Sequence, residues 1–375
     1  MAKRRIVVKI GSSSLTNNSG TLNEKKLTDH VEALVKLKQA GHEVVLISSG
    51  AVAAGFTRLG YPGRPVAISA KQAAASVGQS LLMQVYMEQF AQYACVAAQL
   101  LLTKDDFADK ERFANVQQTM TELLKRGAIP IINENDATSV EELTFGDNDM
   151  LSALISGFLH ADLLCMLTDI NGLYDNNPFK DAAAKKYDYL PGIDAALMAG
   201  ASDSGSRVGT GGMKSKLLAA KTANDLGVNT FIGTGSGANK LLDIIDGNGD
   251  GTYIGPFSEG TGMSATKQWI SLHSKVRGSI TVDAGAERAL LKRGKSLLPA
   301  GVLSVHGIFT AGDVIEVLTQ ENVLIGKGRT QFSSEEVDRV KGLESRTAMR
   351  ETNSKKAEII HRDFWVRHLK GEVRQ

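Results

Sequence analysis

Apolar residues alternate between two kinds of run along this chain. Short runs, apolar at nearly every position, recur at 6–10, 44–47, 96–102, 128–132, 162–167 and 228–232. Such runs predict strands buried on both faces. Between them the apolar spacing widens to three and four residues. Leu27, Val31, Leu34, Val35 and Leu37 form one helical stripe within 23–39, and Gly41 stops it. Helices are also predicted over 51–59, 68–93, 110–125, 148–158 and 213–224. Strands and helices in this order predict an α/β fold around a parallel sheet.

The pattern changes near residue 256. A polar stretch rich in Gly, Ser and Thr follows, with a short strand or helix expected near Trp269. From 275 onward the runs shorten to 280–282, 302–305, 314–317 and 323–327, with one small helix at 286–293. That is the signature of a compact, mostly β domain. The last twenty or so residues read as a charged tail, with His361, Arg362, Phe364 and Trp365 packing back. The expected organisation is therefore 1–256, a linker at 257–274, a second domain at 275–353 and a tail at 354–375.

Composition narrows the function. At 375 residues the chain is long enough for two domains. A net charge of +2 argues against a strongly electrostatic partner such as bulk nucleic acid. The stretch 275–350 carries 12 basic and 9 acidic residues, only mildly basic. Cys95 and Cys165 lie in apolar runs and read as buried thiols of a cytoplasmic protein, with no disulfide framework. Lys3, Arg4 and Arg5 lead into a run too short for a secretion signal, and no run is long enough to cross a membrane.

Several polar residues then stand out against this background. Lys9 sits inside the first apolar run, and Gly11-Ser12-Ser13-Ser14 follows it. A lysine in a buried strand needs an anion to meet it, and a small-residue turn at a strand's carboxyl end offers backbone N–H groups to a phosphate. The alternative is an edge strand whose lysine snorkels to water. Ser48-Ser49-Gly50-Ala51 ends the second strand in the same way. The fourth strand, ending at Ile132, runs into Asn133-Glu134-Asn135-Asp136, either a plain turn or polar groups aimed into a crevice. Asp147 reads as the N-cap of the helix beginning at Asn148, which leaves Asn148 and Asp149 in its first turn. The glycine-rich stretch 205–216 opens a helix whose first turns carry Lys214 and Lys216, a second anion site. It has no Walker spacing. Gly233–Gly237 lacks dinucleotide-binding spacing, and 246–257 has Phe257 where a calcium loop needs Glu, so both read as turns.

Taken in order, Val-Val-Lys-Ile-Gly-Ser-Ser at 7–13, Ser-Ser-Gly-Ala-Val at 48–52, Asn-Glu-Asn-Asp at 133–136, Gly-Asp-Asn-Asp at 146–149, Leu-Thr-Asp at 167–169 and Gly-Thr-Gly-Gly-Met at 209–213 resemble the glutamate 5-kinase family of the amino-acid kinase superfamily. Residues 280–285 and 295–301 resemble the PUA domain that follows many of these kinases. The resemblance implies a three-layer αβα sandwich with a mainly parallel central sheet, plus a small mostly-β PUA domain. It implies transfer of a phosphoryl group from ATP, with Mg2+, to the side-chain carboxylate of L-glutamate, the first step of proline biosynthesis. Lys9, Lys216 and Asp149 take the catalytic positions. Ser49, Asp136, Asn148 and Asp147 take those of the glutamate site. Lys9, Gly11, Ser12, Thr168, Asp169, Thr210, Gly211, Gly212, Met213, Lys214, Ser215 and Lys216 take the ATP positions. No dedicated protein cage for the metal is evident. Proline is implied as feedback inhibitor, with the loop 136–145 as its site. A glutamyl phosphate reductase is implied as pathway partner, and a dimer or tetramer as the assembly. The competing readings are a kinase of the same fold acting on aspartate, N-acetylglutamate, carbamate or a nucleotide, and RNA binding by the second domain. The mild charge of that domain disfavours the latter.

Overall fold

A computed structural model describes residues 3–367 except 18, 139–147, 177, 179–180, 182, 201–211, 236, 256–275, 294 and 353–356. The chain divides into two compact units, Met1–Asp106 with Arg112–Met263 and Phe107–Glu111 with Ser264–Gln375. The expected linker at 257–274, the element near Trp269 and the end of the tail lie outside the described residues.

The first unit contains, in chain order, β1 (Arg5–Ile10), α1 (Glu24–Gln39), β2 (Glu43–Ser48), α2 (Ala51–Gly55), α3 (Ile68–Ala91), β3 (Ala97–Leu102), α4 (Lys104–Ala108), α5 (Lys110–Lys125), β4 (Ile129–Glu134), α6 (Asn148–Phe158), β5 (Leu163–Leu167), β6 (Leu173–Tyr174), β7 (Lys186–Tyr187), β8 (Tyr189–Leu190), α7 (Ala195–Gly200), α8 (Met213–Asp225), β9 (Asn229–Gly233), α9 (Lys240–Ile245) and β10 (Gly251–Ile254). Among the described residues these form an eight-stranded sheet in the order β3-β4-β2-β1-β5-β9-β10-β8. Every pairing in it is parallel except β9 with β10. β1 is central, flanked by β2 and β5, so the edge-strand reading of Lys9 is wrong.

Strand alternation assigns the two faces. Ile6, Val8 and Ile10 share a core with Val44, Leu46, Ile129, Ile131, Cys165, the buried face of α1 and the α3 residues Leu82, Met83, Tyr86 and Phe90. Val7 and Lys9 point to the other face, where α6 covers β1 and β5. α1 begins where Asn23 caps it, its side chain accepting from the Lys26 N–H at 3.1 Å.

Three local expectations change. Asn133 and Glu134 stay in the β4 ladder, opposite Leu101 and Leu102, so the plain-turn alternative falls at these two residues; strand pairing overrides their turn preference. The glycine-rich stretch 246–250 is a turn as expected, but an unexpected strand, β10, begins directly after it at Gly251. β10 lies so close to β9 that a Cβ on Gly251 would stand 2.4 Å from the Phe231 ring. The helix expected over 51–59 shortens to α2 and a 3-10 turn, Phe56–Leu59. Cys165 is buried, and burial pushes its thiol well above the ordinary range, but Cys95 is only half-buried.

The second unit contains β11 (Val276–Val282), α10 (Ala284–Arg293), β12 (Val302–Gly307), β13 (Val314–Leu318), β14 (Leu324–Thr330), α11 (Ser334–Val340), α12 (Ser345–Glu351) and β15 (Ile360–Arg367). Its sheet runs β12-β11-β13-β14-β15. β15 lies in the expected tail, yet it pairs antiparallel with β14 and buries Ile360 and Trp365 in the core. Ile360 and the run Phe364-Trp365-Val366 carried that signal; the charge around them hid the strand.

One contact sets how α2 is held. α2 and α3 approach backbone to backbone: a Cβ on Gly78 would stand 1.8 Å from the Ala51 carbonyl oxygen, and one on Gly55 2.0 Å from that of Ala74. Gly78→Ala is expected to cost about 2–3 kcal/mol, because backbone cannot yield as a side chain does. Gly63→Ala, which meets nothing within 4 Å, is the control and should melt with the parent protein. Equal thermal midpoints for both variants would contradict this packing.

Candidate active site

The polar cluster lies at the carboxyl ends of the strands. Lys9 is the penultimate residue of β1 and faces α6. Asp149 is the second residue of α6, and Lys216 lies in the first turn of α8. α6 and α8 pack in parallel: Asp149 meets Lys216 at one end, and Gly157 lies against Leu226 at the other. Both helix N-termini therefore open on the same place, adding two partial positive charges to it.

Asp149 is fully buried. Its Oδ1 stands 2.6 Å from Lys9 Nζ and its Oδ2 3.0 Å from Lys216 Nζ. Ser215 Oγ lies 3.4 Å from the same Oδ2. Lys9 and Lys216 are themselves 3% and 8% exposed. A carboxylate without solvent is tolerable only with its charge met, and here each oxygen faces an ammonium group. The two lysines come from elements more than two hundred residues apart, and one acid spaces them. The turn after β1 carries Gly11 and a 3-10 segment, Ser12–Ser14, whose Ser14 N–H donates to the Gly11 carbonyl at 3.1 Å. A Cβ on Gly11 would stand 3.6 Å from Lys9 Nζ, so the turn lies beside the ammonium group.

Topology explains the position. β1 continues into α1 on one face, while β5 leads on to α8, which packs on α6 over the other face; the adjacent ends of β1 and β5 are a switch point, where open sheets leave a crevice. Gly11 and Ser12 follow β1 there. Thr168 and Asp169 follow β5; the Thr168 N–H donates to the Gly233 carbonyl and its hydroxyl to Asp169 Oδ1, each at 3.0 Å.

A second switch point separates β2, which leads to α2 and α3, from β4, which leads to α6. Ser48 and Ser49 end one strand, Asn133 and Glu134 the other. Asn148 Nδ2 spans the gap, donating to Ser49 Oγ and Asn133 Oδ1 at 2.9 Å each and standing 3.4 Å from the Ser48 carbonyl oxygen. Behind them α3 contributes Tyr86, whose hydroxyl shares a 2.8 Å hydrogen bond with Ser48 Oγ, and Gln79, which accepts from Asn133 Nδ2 at 2.9 Å. Asp136, half-buried, lies two residues beyond β4. Burial and then the Glu134 carboxylate push its pKa up to about 6, against the pull of Arg64.

The structure thus brings together Lys9, Asp149 and Lys216 in one crevice, and Ser49 with Asn148 in the next. Gly212, Met213, Lys214 and Ser215 start α8, with Lys214 exposed to solvent. Asp147, Thr210 and Gly211 lie outside the described residues, as does the N-cap expected of Asp147. Gln79 and Tyr86 are not singled out by the sequence, which gives only a helix over 68–93. Their seven-residue spacing, two turns on one helix face, was the available signal.

Comparison with known proteins identifies the family. The amino acid kinase family profile matches residues 4–234, and the PUA domain profile matches 278–352. The chain is 60% identical over 366 residues to a glutamate 5-kinase of Shouchella clausii, covering 98% of each chain. It is 60% identical to glutamate 5-kinase 1 of Bacillus subtilis over 98% of this chain and 99% of that one. It is 58% identical to a glutamate 5-kinase of Geobacillus thermodenitrificans over the full length of both. The protein belongs to the amino acid kinase family and, within it, to the glutamate 5-kinases that carry a PUA domain.

Proposed function

We propose that the chain transfers the terminal phosphoryl group of ATP to the side-chain carboxylate of L-glutamate, giving L-glutamyl 5-phosphate and ADP at the entry to proline biosynthesis. The observation that carries the reading is the pair of ammonium groups on opposite oxygens of buried Asp149. Two ammonium groups meeting at one carboxylate bring positive charge to the place where a phosphoryl group would migrate.

A carboxylate with a reference pKa of ~4.3 is already ionised at neutral pH, so the nucleophile needs no general base. What the site supplies is position and charge neutralisation for in-line transfer. Lys9 stabilises the moving phosphoryl group and Lys216 the leaving side. Asp149 holds the two ammonium groups apart and in register. Gly11 and Ser12 line the phosphate path with backbone N–H groups. Thr168, Asp169 and the segment from Thr210 through Gly211, Gly212, Met213, Lys214 and Ser215 to Lys216 hold the nucleotide. Ser49, Asn148, Asp136 and Asp147 hold glutamate, the acids answering its α-ammonium group. Mg2+ would enter on the ATP phosphates. Both Asp149 oxygens already face ammonium groups, and among the described residues no three His, Cys, Asp or Glu side chains are grouped to hold a metal.

The product is an acyl phosphate that hydrolyses readily, so a glutamyl phosphate reductase is the natural consumer. Feedback inhibition by proline, through the loop 136–145, a dimeric or tetrameric assembly and a cytoplasmic setting complete the reading. Among the described residues no helix is long and apolar enough to cross a membrane. The kinase domain is assigned to 1–256 and the PUA domain to 275–353, extended by β15.

The direct test is ADP release with glutamate, aspartate, N-acetylglutamate, carbamate and UMP, with hydroxylamine trapping the acyl phosphate as a hydroxamate. Glutamate alone should support turnover and trapping; an equal rate with another acceptor refutes the assignment. Lys9→Ala and Lys216→Ala should each lower kcat by about 10²–10³, the scale of one lost electrostatic donor. Near-normal turnover in either removes that lysine from the mechanism. Asp136→Asn should raise KM for glutamate far more than KM for ATP. In the parent enzyme KM for glutamate should climb as pH falls through about 6, because protonation discharges Asp136. The Asn variant should lack that rise. Stability moves the opposite way. The folded protein disfavours the charged carboxyl, so stability falls as pH rises from the unfolded value of ~3.9 through about 6. Asp136→Asn should therefore melt higher than the parent at pH 8, with a smaller gap at pH 5.

A further inference from the structure

The orientation of an amide side chain follows from its neighbours, and here it can be traced to a backbone group. The Glu134 N–H is a donor whatever the side chains do, and it donates to Asn133 Oδ1 at 3.0 Å. Asn133 Nδ2 is then directed at Gln79 Oε1, 2.9 Å away. Asn133 Oδ1 also accepts from Asn148 Nδ2 at 2.9 Å. Reversing Asn133 would set N–H against N–H at the Glu134 and Asn148 contacts together. Asn148 Nδ2 is further committed to Ser49 Oγ at 2.9 Å. Both of its hydrogens are therefore spent inside the protein. Its Oδ1 is left over: buried, and with no hydrogen-bond partner among the described residues.

A buried acceptor without a donor is costly, and native proteins rarely keep one without a use. A ligand that brings an N–H recovers the loss. A carboxylate would instead set lone pair against lone pair.

We propose that Gln79 is a positioning residue that sets which end of the substrate this crevice accepts. As the last acceptor in the chain Gln79–Asn133–Asn148, it holds the Asn148 carbonyl oxygen available to the substrate's α-ammonium group. Gln79 itself does not touch the substrate. Without its acceptor, the buried Asn133 amide has an unpaired N–H, and Asn133 turns away from Asn148 to pair it. The inference rests on the reading of Ser49, Asn148 and Asp136 as the glutamate site.

The test uses the full-length enzyme with three variants and two acceptors, L-glutamate and glutarate, which lacks the α-ammonium group. Gln79→Met keeps the length of the side chain but removes the acceptor. It should raise KM for glutamate about tenfold, the equivalent of one lost polar contact, with KM for ATP unchanged. The preference in kcat/KM for glutamate over glutarate should fall by a similar factor. Gln79→Glu retains acceptor oxygens toward Asn133 and should keep both KM and preference within about threefold of the parent. Should Gln79→Met not fold, Gln79→Glu still decides: a tenfold rise in its KM for glutamate shows that Gln79 donates, which overturns the proposal. An unchanged glutamate preference in folded Gln79→Met overturns it as well. Asn148→Ala separates the two levels. If it leaves KM for glutamate unaltered, the substrate-site reading fails; if it raises KM while Gln79→Met does not, only the role of Gln79 fails.

Discussion

A carboxylate with no solvent at all, held between two lysines, is the constraint on which the first unit is organised. Asp149 cannot be buried alone, because the desolvation of a lone charge exceeds what ordinary packing returns. Lys9 and Lys216 cannot approach one another without it, because like charges in a shielded crevice repel strongly. Each of the three is tolerable only in the presence of the others. The elements that carry them, β1, α6 and α8, must consequently meet at one end.

The rest of the architecture serves that meeting. α6 and α8 run parallel, so their first turns, not opposite ends, converge. Ser152 and Ser156 satisfy their hydroxyls within α6, on the Asp149 and Ser152 carbonyls, so a helix buried along its whole length carries polar residues without further partners. The two switch points of the sheet lie on either side of the β2–β1 pair. One crevice is basic. The other is lined by serine, asparagine and carboxylate groups. Asn148 and Asp149, adjacent on one helix turn, give each crevice one residue.

Much of this was legible in the residues. Lys9 is conspicuous as the one charge inside the apolar run 6–10. Asn148 and Asp149 are conspicuous because capping accounts for one polar residue at a helix start, not several. Gln79 and Tyr86 were invisible because a polar side chain on a long helix shows no role until its partner on a strand is known. The end of β4 is hard to read because asparagine favours turns locally, and ladder pairing supplied by the neighbouring strand outweighs that preference. β15 reads as tail because charged residues crowd the chain on both sides of it, while its burial comes from β14, thirty residues earlier.

Periodicity and residue type were enough to define β1 to β5 and β9, the helices α1, α3, α5, α6 and α8, and the parallel character of the sheet. These depend on steric rules that act over a few residues, so neighbouring residues carry them. The sheet order, the parallel packing of α6 on α8, and the path from Gln79 through Asn133 to Asn148 came only with the folded chain. They join residues tens to hundreds of positions apart, and their energies arise from burial and electrostatic pairing between surfaces that exist only once the layers have closed.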